Sequence, residues 1–590
     1  MSEIDGRRDA AEPAMILDVD QTGGAADVGE PVVLPASPTE QPPVDGMPYL
    51  SPSPERALFT RPLPAHEPTL DPRKSPATIP PVHDHRTLVL CFDGTGDQFD
   101  ADNSNIVQLF SLLKKDDKTK QMVYYQSGIG TYVSPKVATP MMSKVSQTLD
   151  AMIAWNLDAH VMDGYEFLMQ NYMDGDRICI FGFSRGAYTA RALAGMLHKV
   201  GLLPASNHQQ VPFAYKMFTR ADPLGWEQSN AFKEAFSIDV TIDFIGVWDT
   251  VSSVGLIPRR LPFTTSNTVV RTFRHAVALD ERRAKFKANL WNKPLPHEEN
   301  LGFSKSPKVD ASKVQHKKTT GDSDQSEKHS SFIRISEEEH ELTQLERQYS
   351  ELQGKPTDIE EVWFAGCHCD VGGGSVSNKT RHSLARISLR WMIRECFKMN
   401  TGIMFDAERL KNVGLDPQTL YPFVTPRPPS RSPGSSKILK RPKEEKGWRF
   451  PWSKKPPVAP STAAPSEKDG LLSRPPSPFP PVASVSEEEE ELLDALSPKY
   501  DQLKLKPFWW VLEFIPMEYR FQVGKDNRWV SYFGPNKARS RIIPRQRSAG
   551  FKVHRSVKIR MEAEHEHHDP KKQKKYIPKA KFHTDPIWVD

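Results

Sequence analysis

Apolar residues in this chain gather into short continuous runs, each followed by a longer stretch with helical spacing. Thr87–Phe92 (TLVLCF) is apolar throughout and ends at Asp93-Gly94-Thr95-Gly96, a turn signal. A run of this kind predicts a strand buried on both faces. Asn103 or Ser104 then caps a helix that the spacing carries to about Lys115. The rhythm repeats. Strands are predicted at Met122–Gln126, Arg177–Phe183, Val240–Trp248 and Glu361–Ala365, and helices over 143–172, Ala187–Val200, 267–290 and Ser383–Lys398. Strand and helix in alternation predict an α/β fold, a mostly parallel sheet with helices on both faces.

Composition divides the chain around that pattern. Of 590 residues 52 are proline, well above the usual roughly 5%, and they cluster in 31–81 and 424–481. Such stretches lack the apolar periodicity that offsets the entropy of ordering. Residues 1–84 therefore read as a disordered arm and 85–423 as the catalytic domain. Residues 303–357 form a charged insertion, part of it (337–353) helical, looping outside the core. Residues 424–495 read as a disordered Pro/Ser/Glu linker. Residues 496–590 form a small aromatic, β-rich or docking element with a basic tail.

Net charge is +5, which makes no case for nucleic acid. The lysines of 571–581 suggest a solvated tail, with an anionic surface as the alternative. The stretch Lys506–Pro516 (KPFWWVLEFIP) suits either peripheral membrane contact or packing on the core. The five cysteines show no disulfide or zinc spacing. His565–Asp569 (HEHHD) reads as solvated. No metal or cofactor is expected. The first residues (MSEIDGRRDAAEP) lack the apolar core of a secretory signal, and no run of about 18 apolar residues occurs. Both features lead us to expect an intracellular protein without a membrane span.

Chemistry enters at Gly182-Phe183-Ser184-Arg185-Gly186, a G-x-S-x-G pattern between an apolar strand and an Ala-rich helix. That context, more than the five residues, marks a nucleophile elbow. The serine sits in a strained turn, and the helix N-terminus offers N–H groups to an oxyanion. Arg185 is one expected donor; Gly94 and Thr95, after the first strand, are candidates for the other. The loop Phe92–Thr95 also calls to mind aspartate-nucleophile phosphatases, but Cys91 stands where their first aspartate belongs. A serine needs a base, and the base an acid. Asp249, ending a strand, is the favoured acid, with Asp243 and Asp370 as alternatives. His368, in the glycine-rich loop after the last strand, is the favoured base, with His198 and His275 as competitors.

Five segments in order, Phe92–Thr95, Gly128–Gly130, Gly182–Ala187, Gly246–Thr250 and Trp363–Gly372, give the chain a resemblance to a known family. It resembles the α/β-hydrolase domain of the type VI secretion phospholipase effectors, a group with many uncharacterised fungal relatives carrying similar Pro/Ser arms. The resemblance covers about 85–400. It implies Ser184 as nucleophile, Asp249 as acid, His368 as base, and phospholipid ester hydrolysis. The expectation is a serine hydrolase of lipid or small esters working without a cofactor. A scaffold that keeps the fold and recruits partners through its Pro-rich arms is the alternative.

Overall fold

The computed structural model describes residues 76–128, 142–251, 261–293, 342, 344–346, 356–441, 485–566 and 574–590, apart from 95, 96, 98, 508 and 526. Most of the arm, most of the insertion, residues 442–484, part of the HEHHD cluster and Thr95 therefore lie outside the described residues.

Eight strands form the main sheet: β1 (Thr87–Phe92), β2 (Gln121–Gln126), β3 (Arg177–Phe183), β4 (Ile242–Trp248), β5 (Val270–Ala278), β6 (Asp358–Phe364), β9 (Lys552–His554) and β10 (Ile587–Val589). Between β6 and β9 the chain makes an antiparallel hairpin, β7 (Pro516–Val523) and β8 (Arg528–Pro535). The sheet order is β10-β9-β6-β5-β4-β3-β1-β2, and every neighbouring pair runs parallel. The fold is α/β.

Strand periodicity explains the two cores. Leu88, Leu90 and Phe92 point to one face, Val89 and Cys91 to the other. The first face is covered by α2 (Met142–Asn171) and α3 (Arg185–Val200). The second is covered by α1 (Asn105–Leu112) and α5 (Leu384–Lys398). Ser104 caps α1 by accepting the Val107 N–H, as the sequence suggests. Both faces are thus dry, which is why β1 reads as unbroken apolar sequence.

Several expectations need correction. Residues 267–290 do not form the expected helix: β5 occupies Val270–Ala278, and only a single 3-10 turn, Ala284–Phe286, follows it. Buried polar residues disguised it. Arg274 pairs with Glu395 at 2.6 Å and Asp358 at 2.7 Å, and these charges broke the apolar run that would have announced a strand. The arm's last residues are ordered, since Thr78–Ile79 pairs antiparallel with Phe405–Asp406. Within the insertion, Leu342 and Leu345 pack with Trp226 and Phe263 rather than looping clear of the core.

The linker assignment also fails at both ends: Lys437–Ile438 pairs parallel with Glu564–His565, and Arg427 is buried against Glu491 at 3.0 Å. Residues Glu487–Ala495 form α6, with Ser486 as N-cap and four glutamates in the first turn, a favourable place for negative charge. This helix docks on α5. Arg386, Arg390 and Arg394 recur every four residues on α5, so they share one face. Arg386 meets Glu490 at 2.8 Å, Arg390 meets Asp494 at 2.7 Å, and Arg394 meets Glu487 at 2.8 Å. Nor is the C-terminal region a separate element, because β9 and β10 extend the main sheet. The basic tail is anchored where it is described: the Tyr576 hydroxyl and the Lys579 N–H donate to Asp280. Among the described residues no helix is long and apolar enough to cross a membrane.

Candidate active site

The C-terminal ends of β3, β4 and β6 converge, the position where open α/β sheets place their sites. The β3–α3 turn presents Ser184 at φ 59°, ψ −120°, outside the regions open to ordinary residues. Its flanking glycines are dictated by space. A Cβ on Gly182 would come within 2.5 Å of the Ala187 Cα, and one on Gly186 within 2.3 Å of the Asp93 carbonyl oxygen. Strand, turn and helix close on one another only because those positions are bare. The turn is pinned by the Ser184 N–H, which donates to the Trp248 carbonyl at 3.0 Å.

Asp249 follows β4 and also has positive φ, 44°. Two non-glycine residues in this region, each costing on the order of 1–3 kcal/mol, mark strain held by the surrounding structure. His368 opens the short helix α4 (His368–Gly372), after Gly366 at φ 111°. Its Nε2 lies 2.8 Å from Ser184 Oγ and its Nδ1 2.5 Å from Asp249 Oδ2. The three side chains are buried. Phe183 stacks on the imidazole with ring centres 4.7 Å apart, and Phe286 meets it edge-on at 4.8 Å. Glu281 accepts the His368 backbone N–H at 3.2 Å.

Electrostatics separate the acid from the base. Burial pushes the Asp249 carboxyl up, but the Arg541 guanidinium and the His368 hydrogen bond outweigh it and hold the group well below the usual range. Burial pulls His368 below its ordinary value, with Asp249 partly opposing. The histidine is therefore neutral at neutral pH, and Asp249 orients its Nδ1–H, leaving Nε2 to accept from the serine. This arrangement suits nucleophilic attack and proton relay.

The other sequence candidates lie elsewhere. Asp243 sits near the start of β4, beside Arg177 at 3.2 Å and Arg271 at 3.4 Å. His198, in α3, bonds Asn267 at 2.9 Å and stacks on Phe263. His275 lies in β5, between Glu361 at 2.9 Å and the Thr250 N–H at 3.1 Å; it steadies the Asp249 turn. Asp370 accepts the N–H groups of Cys367 and Tyr500, and burial raises it to about 6.

Arg185 is the first residue of α3. Gly94 departs from its expected role: its N–H donates to Asp93 Oδ1 at 2.8 Å. The Asp93 carboxylate, also held by the Ser104 and Tyr125 hydroxyls, claims that donor. Thr95 is outside the described residues. Sequence reasoning missed Arg541, Glu281 and Glu361, the partner of His275.

Residues 86–395, more than half of the chain, match the family described as T6SS, Phospholipase effector Tle1-like, catalytic domain. An uncharacterized protein of Saccharomyces cerevisiae, YEL023C, is 29% identical over 561 residues, covering 80% of this chain and 79% of its own. Among solved structures, an uncharacterized protein from Pseudomonas aeruginosa aligns with TM-score 0.28 and 15% identity, over 54% of this chain and 46% of that one. The Tle1 effector bound to the VgrG spike from the Type 6 secretion system aligns with TM-score 0.22 and 15% identity, over 55% and 61%. This chain thus spans less than two thirds of either solved structure. On the sequence match over residues 86–395, the chain belongs to the Tle1-like phospholipase effector catalytic-domain family.

Proposed function

We propose that this chain is a serine hydrolase that cleaves carboxylic esters of lipids, phospholipids in particular. The observation that carries the reading is the unbroken hydrogen-bond chain from Ser184 Oγ through His368 to Asp249. Family membership supports the lipid-ester class. In the reaction Ser184 Oγ attacks the ester carbonyl while His368 Nε2 takes its proton. The imidazolium, stabilised by Asp249, returns that proton to the leaving alcohol. Water then repeats the sequence on the acyl-enzyme and releases the fatty acid. The Arg185 N–H, at the positive end of α3, faces the developing oxyanion.

The purified full-length protein should react with a fluorophosphonate probe at neutral pH and release fatty acid from phosphatidylcholine vesicles. Because His368 is pulled down by burial, its basic form persists below pH 6.5, so the acid limb of the rate should fall below that value. A folded protein that resists the probe and releases no fatty acid would favour the scaffold reading instead.

The lipid contact we assign to α7 (Trp509–Glu513) and the residues after it. Trp509 meets Phe286 edge-on at 5.5 Å, one ring away from His368. Its neighbours Val511 and Phe514 are about three-fifths exposed (59% and 61%), and Trp510 is 39% exposed. Such a patch suits the bilayer interface. Replacing Trp510 and Phe514 together by alanine should lower hydrolysis of vesicles several-fold and leave turnover of a short soluble ester unchanged. A parallel fall in both activities and in thermal stability would show that these side chains serve packing alone.

A further inference from the structure

We infer that Arg541, from the C-terminal region beyond the family match, is a positioning residue for the candidate acid and sets the protonation of His368. The inference rests on the serine-hydrolase reading and extends it to a residue nearly 300 positions from Asp249 in sequence.

The geometry is specific. Arg541 Nη2 donates to Asp249 Oδ2 at 2.9 Å, and Nη1 donates to Oδ1. The remaining donors are spent on main-chain carbonyls: Nη1 on Ala278 at 3.1 Å, Nη2 on Phe286 at 2.6 Å, and Nε on Phe286 at 3.1 Å. Arginine has five N–H groups in a fixed fork, and all five are used. The carboxylate is equally full. Oδ1 also accepts the Ala278 N–H at 2.8 Å, and Oδ2 accepts His368 Nδ1. A carboxylate bound at four points by a planar fork, a backbone N–H and the imidazole has one orientation. That orientation selects the His368 tautomer that leaves Nε2 to the serine.

A second device fixes the arginine. Glu513, fully buried at the end of α7, accepts the N–H groups of Ala284 at 2.6 Å and Ala538 at 2.8 Å, and the Asn536 side-chain amide at 2.5 Å. Asn536 in turn donates to the Arg282 carbonyl at 2.7 Å. The loop bearing Arg541 is thus clipped to the segment after β5 that supplies Glu281 and Phe286. Lys537 and Ala538 hold positive φ there, 49° and 56°.

Charge gives the arginine a consequence beyond packing. A guanidinium on Asp249 offsets part of the negative charge that would favour the His368 imidazolium. Without it, the imidazolium is better stabilised and His368 titrates at higher pH. The other groups facing this pair are His275 from β5, Glu281 and Arg283 from the segment that follows, and Lys287 beyond them. All of them remain in an Arg541 variant, so a shift reports the arginine.

The test uses the full chain with Arg541→Ala and Arg541→Gln. Fluorophosphonate labelling rates across pH give the acid limb, and histidine side-chain 15N NMR gives the His368 titration independently of reactivity. Labelling should slow by about 10- to 100-fold at neutral pH, the cost of a misplaced base. Limb and NMR titration should both move up by about one pH unit or more. Added guanidinium, below denaturing concentration, should restore part of the Arg541→Ala rate. A folded variant whose limb and titration stay at the wild-type pH, or move down, overturns the assignment. So does failure of both variants to fold, which would leave Arg541 a structural residue only. If the His368 titration moves up while even the wild type is never labelled, the hydrolase reading fails and the positioning role stands.

Discussion

Exchange of Ser184 for alanine is expected to abolish fluorophosphonate labelling and to cut ester hydrolysis by about 10^6-fold, the scale seen when a nucleophile acting in concert with its base is removed. The protein itself should survive. Alanine keeps the Cβ that already fits the strained turn at φ 59°, and the turn is held by backbone, through the Ser184 N–H on Trp248 and the glycine contacts around it. Among the described residues the interaction lost is the hydrogen bond to His368 Nε2, a net contribution of about 1 kcal/mol. Glycine at 184 should be equally inactive yet no less stable than alanine, because it relieves a strain on the order of 1–3 kcal/mol. Rates of labelling and fatty-acid release, read beside thermal melts of both variants, check each part. Activity retained by Ser184→Ala would move the nucleophile elsewhere and end the reading.

The three candidate residues were legible in the sequence because the chemistry proposed for them demands residue types at fixed places in a repeating pattern. A bare glycine on each side of Ser184, an aspartate where β4 ends and a histidine where β6 ends are visible from strand signals alone. What stayed hidden was whatever depends on distant pairing. Arg541 lies among other basic residues after a hairpin, with no local feature to single it out. The strand β5 was read as a helix because Arg274 and His275 are buried in it, and their partners, Glu395, Asp358 and Glu361, are 84 or more residues away. Gly94 looked like a donor because the turn was legible, whereas the claim of Asp93 on its N–H was not. The run Glu487–Glu491 falls at the end of the stretch that reads as a disordered linker. Its complement, the arginines of α5 at four-residue intervals, stood in plain view, but only the fold sets the two faces together.

That pairing yields the largest expected effect on stability. Asp494 is fully buried and meets Arg390 at 2.7 Å and Arg386 at 3.2 Å. It also accepts the N–H of Ser383, the residue that opens α5, at 3.0 Å. Removing the carboxylate leaves Arg390, itself buried, without its counter-charge, and loss of one partner from a buried pair costs about 3–5 kcal/mol. Asp494→Ala should therefore lower the melting temperature by several degrees, whereas Arg390→Met combined with Asp494→Leu should recover much of the loss, since neither charge is then stranded. Acid should mimic the single variant. Burial raises Asp494, but Arg386 and Arg390 prevail and lower it to about 2; Glu487 and Glu490 are lowered in the same way. A carboxylate depressed on folding contributes stability that is fully present above its ordinary value near 4 and is lost as pH falls towards 2. Thermal melts of the wild type should thus be level above about pH 5 and fall steeply below pH 4, with the double variant falling less. A double variant as fragile as Asp494→Ala, or a wild type whose acid sensitivity it fully shares, would mean that the α5–α6 contact is held by its apolar residues and that the charges only accompany it.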